Sequence, residues 1–289
     1  MTPPNWIAAD WGTRHLHLWL MDDAAEVIRS VTVDTPSDDP AQALLALIGA
    51  DLPASGALPV ILCGQPKDLP LAPLAKVPCP PPLALASRVE AGPLVLHLLA
   101  GLRQEAPIDL IRGPETTAAG FLRGLPDFDG VLCIVGPRTV WVQISAGEIV
   151  SFRSFMTIEL LEMTAAHPIL AGVIASDGWD EAAFQAAVSH ALSRPAAIAA
   201  DLAALRAEVE TAGLTPTSAR ARLSGLLIGI ELAAARPWWL GQNVVILGQG
   251  ESAAAYRAAL MSQGIDAPIG DAARATLAGL VAARAAIIA

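Results

Sequence analysis

The residues of this chain best suited to chemistry gather at turns. Asp10, Gly12 and Thr13 lie between Trp6-Ile7-Ala8-Ala9 and the alternating run Leu16-His17-Leu18-Trp19-Leu20, the pattern of a β-hairpin with a polar turn. In such a turn glycine lets a backbone N–H approach a phosphate, a threonine hydroxyl donates a further hydrogen bond, and a carboxylate at the strand end orients a hydrated Mg²⁺. An ordinary hairpin has the same composition, so the stretch alone does not choose. A second polar stretch, Arg112-Gly113-Pro114-Glu115-Thr116-Thr117, starts a predicted helix with an acid in its first turn. Glu115 and Thr116 there act either as helix caps or as catalytic groups. A third turn, Gly136-Pro137-Arg138-Thr139, repeats the glycine-to-threonine spacing of the first. A fourth, after Asn243-Val244-Val245-Ile246-Leu247-Gly248, joins strand to helix in the manner that receives a nucleotide, although many α/β proteins carry such a turn with none.

The composition limits the partners. With 289 residues, 54% hydrophobic and 16% charged, the chain is long enough for two modest domains, each with a core. A net charge of −10 and only two lysines, Lys67 and Lys76, argue against nucleic acid or an anionic membrane surface. An anionic substrate must then be held by single arginines, backbone amides or a metal. Cys63, Cys79 and Cys133 are widely spaced and lack a metal-ligand pattern, which implies buried reduced thiols in a cytoplasmic protein. Residues 1–5 have neither the basic start nor the apolar core of a signal peptide. The most apolar region, Leu223 to Leu240, is broken by Glu231, Arg236 and Pro237 and reads as a buried helix, not a membrane span. Oligomeric state is left open, a homodimer included.

The elements that must position these turns follow from periodicity. A third strand over residues 26–33 completes a meander; a loop over 34–40 caps a helix over 41–48; Pro59 to Gly64 is a strand buried on both faces. Three strands, a helix and a buried strand open a ribonuclease-H-like domain. Eight prolines from Gln65 through Pro93 exclude helix and central sheet, so this stretch should lie over the surface. A helix over 93–102, a strand over 108–111 and the helix from Pro114 follow. From Phe128 the opening pattern repeats, with strands over 130–136, 139–144 and 148–155. Helices over 181–192, 196–212 and 219–235 precede the strand over 243–248, a helix over 253–263 and a last helix over 272–286 that packs back on the first domain. This duplication predicts an α/β protein of two ribonuclease-H-like domains, residues 1–120 and 121–289, facing a shared cleft.

The order of these motifs resembles the 2-dehydro-3-deoxygalactonokinase family, a branch of the sugar kinase and actin-like ATPase superfamily. The resemblance covers almost the whole chain. It rests on Ile7 to Thr13, Ile111 to Thr116, Val140-Trp141-Val142 with Ile149 to Thr157, Leu223 to Gly229, and Val245 to Gly248 through Tyr256 to Leu260. The resemblance implies ATP-dependent phosphorylation of the terminal hydroxyl of 2-dehydro-3-deoxy-D-galactonate in galactonate breakdown. Asp10 would then hold Mg²⁺ through water, while Gly12, Thr13, Gly136 and Thr139 would cradle the phosphates and Gly248 would border the adenosine. Glu115 is the candidate base for the attacking hydroxyl. Arg112 and Arg153 suit the carboxylate of the sugar acid, with Thr116 and Glu159 beside them as further substrate contacts.

Departures from the family pattern fall at the same turns. Arg14 stands where a serine or threonine is usual, and His17 where a polar basic residue is. Pro114-Glu115 replaces a glutamate pair, and Gly136-Pro137-Arg138-Thr139-Val140-Trp141 replaces a Gly-Thr-His-Ser/Thr-Lys-Trp hairpin. Gln65-Pro66-Lys67-Asp68 replaces a glycine-rich stretch, Ile158 a glycine, and Pro168 a serine. Pro137 has no N–H to donate and Val140 cannot neutralise phosphate, whereas Arg14 and Arg138 offer new cations. Two readings follow: a working sugar-acid kinase, or a catalytically weak homologue that binds nucleotide or sugar acid as a sensor or partner.

Overall fold

The computed structural model describes residues 3–35, 39–52, 56–67 and 69–288. Residues 1 and 2, the middle of the expected 34–40 loop and Asp68 lie outside the described residues. β1 (Trp6–Trp11), β2 (His15–Met21) and β3 (Val27–Asp34) form the expected meander, with β2 antiparallel to both neighbours. The Asp39 carboxylate caps α1 (Pro40–Ile48) by accepting the Ala41 N–H at 2.8 Å, and Pro40 fills a first-turn position where a missing N–H is harmless. β4 (Leu58–Gly64) runs parallel to β1.

The proline-rich stretch supplies β5 (Leu74–Lys76) and β6 (Ala86–Ala91), both at sheet edges and both free of proline. The helix expected over 93–102 is instead two strands, β7 (Leu94–Leu99) and β8 (Gly101–Glu105), followed by β9 (Ile108–Ile111). In β7, Leu94, Leu96 and Leu98 are buried while Val95 and His97 are half-buried on the other face. That period of two wins because β7 finds backbone partners on both sides, β4 in parallel and β6 antiparallel. The sheet order is β3-β2-β1-β4-β7-β6, with a separate sheet β5-β8-β9. α2 (Pro114–Gly124) follows β9.

The second large sheet contains β10 (Gly130–Ile134), β11 (Thr139–Ser145) and β12 (Glu148–Phe155). The chain then runs through α3 (Thr157–Ala166), α4 (Pro168–Ala171), α5 (Glu181–Ser193), α6 (Ile198–Thr211), α7 (Pro216–Ala234) and α8 (Arg236–Trp239). β13 (Val244–Leu247) is parallel to β10, α9 (Gly250–Met261) follows, β14 (Ile269–Gly270) is parallel to β13, and α10 (Ala272–Ile288) ends the chain. The order β12-β11-β10-β13-β14 repeats β3-β2-β1-β4-β7, so the duplication seen in the sequence is a duplication of topology.

Two compact units result. The first comprises residues 1–129, 144–152 and 271–289, the second residues 130–143 and 153–270. In the first, α10 lies against α2 so closely that a Cβ on Gly120 would sit 1.8 Å from the Ala275 carbonyl oxygen. The Thr117 and Thr276 hydroxyls, 2.7 Å apart, tie the same helices together. This contact braces the helix whose second residue is Glu115. The second unit packs Phe184, Ile228, Leu232, Trp239, Ile246 and Tyr256 around Trp141. Cys63 and Cys133 are buried free thiols and Cys79 is half-buried, with no disulfide among the described residues. Among those residues no helix is long and apolar enough to cross a membrane.

Candidate functional site

In the first unit the ends of β1, β4 and α2 meet. Asp10, one residue before the end of β1, stands opposite Cys63 in the parallel register, and the Cys63 thiol donates to Asp10 Oδ1 at 3.4 Å. The next residue, Gly64, has φ +92°, and a Cβ there would fall 2.1 Å from the Trp11 carbonyl oxygen, so only glycine fits. Gly113, which precedes α2, abuts this glycine: a Cβ on it would lie 3.9 Å from the Gly64 nitrogen. Its N–H donates to Glu115 Oε1 at 2.7 Å, which fixes the carboxyl by one oxygen.

The other oxygen is spare. Glu115 is 2% exposed, and its Oε2 is buried without a hydrogen-bond partner. Arg112 Nη1 and Gln65 Oε1 are buried and unpartnered in the same way. Groups of this kind are rare unless a ligand or water completes them. Burial pushes the Glu115 carboxyl up to about 7, against the Gly113 hydrogen bond and the Arg112 charge, and the charge of Asp10 adds to the rise. Burial also raises Asp10, while the Cys63 hydrogen bond pulls it back. Burial, with Asp10 and Glu115 adding to it, raises Cys63 far enough to keep it a thiol and a donor. Desolvation lowers Arg112, and the Glu115 carboxylate opposes the change.

This arrangement suits proton abstraction. An acid held by one oxygen, with the second buried and unpartnered and the carboxyl pushed up to about 7, has features that a general base requires. No group of three or more His, Cys, Asp or Glu side chains among the described residues could hold a metal.

The remaining predicted residues divide between accessible and committed groups. Thr13 and Arg14 are exposed at the β1–β2 turn, but the Gly12 N–H closes the hairpin on the His15 carbonyl at 3.0 Å instead of facing outward. Thr116 is buried, with its carbonyl and methyl group pressed against Gly279 of α10. In the second unit Gly136 is half-buried and Arg138 exposed; Arg138 Nε lies 3.6 Å from Glu159 Oε2, and the Glu159 N–H donates to the Pro137 carbonyl at 3.2 Å. Arg153 is half-buried on β12. Thr139 is fully buried with its hydroxyl 2.9 Å from that of Tyr256, which takes its side chain out of direct phosphate contact. Gly248 is buried as well: a Cβ on it would press on Val135 and Ala253 at 3.1 and 3.2 Å, so its small size serves strand–helix packing.

The structure thus gathers Asp10, Arg112 and Glu115 in one unit and Gly136, Arg138 and Glu159 in the other. Sequence reasoning passes over Cys63, Gln65 and Glu231. For Glu231 a signal existed, since an acid within an apolar helix must find partners. A surface depression of 460 Å³ lined by Asp39, Gln42, Leu45 and Glu90 shares no residue with either group.

Two sheets of one strand order, with a carboxylate near the end of the leading strand of the first, define a duplicated α/β class of fold. Comparison with known proteins narrows the class. The chain belongs to the 2-keto-3-deoxy-galactonokinase family, whose model matches residues 10–283. It is 33% identical, over 99% of each chain, to a protein of Rhizobium meliloti (strain 1021) assigned as a 2-dehydro-3-deoxygalactonokinase. It is 28% identical, over 91% of each chain, to the 2-dehydro-3-deoxygalactonokinase of Escherichia coli (strain K12). A crystal structure from Sinorhizobium meliloti, also assigned as a 2-dehydro-3-deoxygalactonokinase, superposes with a TM-score of 0.88 at 31% identity and covers 97% of this chain and 96% of that one. The family is one of kinases, and the chain is a phosphotransferase by membership.

Proposed function

We propose that this kinase transfers the terminal phosphoryl group of ATP to the terminal (6-) hydroxyl of 2-dehydro-3-deoxy-D-galactonate, in the cytoplasm, as a step of galactonate breakdown. The observation that carries the chemistry is Glu115, pinned through Oε1 by the Gly113 N–H, with Oε2 unpartnered and a carboxyl that titrates at about 7. That oxygen accepts the proton of the attacking hydroxyl, while Gly113 keeps the carboxyl from rotating away. The Arg112 guanidinium, with a buried unpartnered Nη1, pairs with the carboxylate of the sugar acid, and Arg153 is a second candidate for that role. Bound MgATP supplies the phosphoryl group and the cation that offsets its charge.

Asp10 would hold the metal through water, with Thr13 and Arg14 beside it. In the second unit Gly136 and Arg138 are the candidate phosphate contacts. In this reading the amino-terminal unit takes the sugar acid and the second takes the nucleotide. Pro137 removes one backbone donor, and Arg138 offsets that loss with a cation. The test is direct: purified protein with MgATP and 2-dehydro-3-deoxy-D-galactonate forms ADP, and Asp10→Ala abolishes it. ADP formation undiminished by Asp10→Ala would overturn the assignment of the metal site.

A further inference from the structure

We infer that Glu231, buried at the centre of the second unit, is a positioning residue that holds the Gly136–Thr139 turn in the shape that receives nucleotide phosphates. The inference rests on the reading of that turn as the phosphate side. Glu231 lies on α7, is 2% exposed and is surrounded by Trp141, Ile228, Leu232 and Tyr256. Both of its oxygens are engaged. Trp141 Nε1 donates to Oε1 at 2.7 Å, the Tyr256 hydroxyl donates to Oε2, and the Thr157 hydroxyl gives a third hydrogen bond. A carboxyl in such a place costs desolvation that an apolar side chain of similar volume avoids, so its presence asks for a reason beyond stability.

The partners supply the reason, because two of the three lead to the same turn. Tyr256, on α9, passes the contact to the Thr139 hydroxyl at 2.9 Å, and Thr139 follows Arg138 directly. Thr157 is the first residue of α3, whose third residue, Glu159, donates its N–H to the Pro137 carbonyl and pairs with Arg138 at 3.6 Å. A closed ring results: Glu231 to Tyr256 to Thr139, along the turn to Arg138 and Pro137, across to Glu159, down the first turn of α3 to Thr157 and back to Glu231. All its members belong to one unit. Pro137 leaves this turn short of one backbone donor, so the placement of the Arg138 cation carries more of the binding, and the ring sets that placement.

Two variants test it. Glu231→Gln keeps the shape and one acceptor; Tyr256→Phe keeps the ring packing and cuts the chain from Glu231 Oε2 to Thr139 at the hydroxyl that makes both of its links. Calorimetry with MgADP reads nucleotide affinity whichever acceptor the kinase uses, and steady-state kinetics reads the two KM values separately. We expect folded variants with MgADP affinity lowered about tenfold, KM for MgATP raised to match, and KM for the sugar acid unchanged. Folded variants with wild-type MgADP affinity overturn the inference. So does a parallel rise of both KM values, or loss of the cooperative thermal transition in both variants, since a scaffold role then accounts for Glu231. If wild-type protein binds MgADP but does not phosphorylate the sugar acid, the acceptor assignment fails alone and the calorimetric comparison still decides this point. If wild-type protein binds no MgADP, both readings fall.

Discussion

Glu115 in the first unit and Glu231 in the second are both buried glutamates that burial pushes up to about 7, yet their oxygens meet different things. Glu115 has one oxygen on the Gly113 N–H and the other on nothing; Glu231 has indole and hydroxyl donors on both. The open one stands where strand ends converge beside Asp10, the saturated one inside an apolar cluster. Burial and an elevated pKa therefore do not assign a role. Satisfaction does: an unpaired buried oxygen has capacity to spare for a ligand, whereas a saturated one has only geometry to offer.

The largest effect should come from the open acid. Glu115→Gln should lower kcat by about 10²–10⁴-fold with the fold retained, and should abolish the rise of activity as pH passes through about 7. A variant with wild-type kcat would leave Glu115 a helix cap. Stability gives the next effect, and here the two acids should behave alike. Each is raised from 4.5 to about 7, so the folded state binds its proton more tightly than the unfolded chain. The stabilisation is full below about pH 4.5 and is lost as pH rises through about 7, on the order of 3 kcal/mol per group. Denaturant unfolding across that range should show stability falling with pH, and Glu115→Gln combined with Glu231→Gln should flatten the fall.

Arg112→Leu should raise KM for the sugar acid about 10- to 100-fold with a smaller change in kcat, because it removes a carboxylate partner and not the base. An unchanged KM would move that role to Arg153. The smallest effect should come from a third acid of opposite character. Glu105 is exposed, and Lys76, then Arg103, holds it below the usual range. Lys76→Ala should shift the thermal midpoint by no more than about 2 °C, as expected for a screened surface pair.

Much of the fold is legible in the sequence because alternating strands and a repeated pattern carry their own signal. β9 and β12 fall where periodicity places them, and β1, β4, β10 and β13 agree to within a residue or two at either end. The segment 94–105 misleads because two short apolar runs, Leu94 to Leu96 and Leu98 to Ala100, parted by His97, fit either a helix or a buried strand; the free edges of β4 and β6 decide, and they are distant in sequence. Among the candidate site residues, Asp10 and Glu115 stand out from type and turn context. Thr139 and Gly248 cannot be judged that way, since a threonine that faces a phosphate and one that faces Tyr256 look the same in the chain.

What the amino-acid sequence determined alone is the duplicated order of elements, the family, and the acids stationed at turns, because these are local patterns repeated or punctuated along the chain. Tertiary structure alone decided which acid is left with a free oxygen and which is saturated. That outcome depends on the meeting of Gly64 with Gly113, the press of α10 on α2, and the arrival of Trp141, Thr157 and Tyr256 around Glu231. Those partners lie far apart in sequence, and only packing brings a hydrogen-bond donor to a buried carboxyl or withholds it.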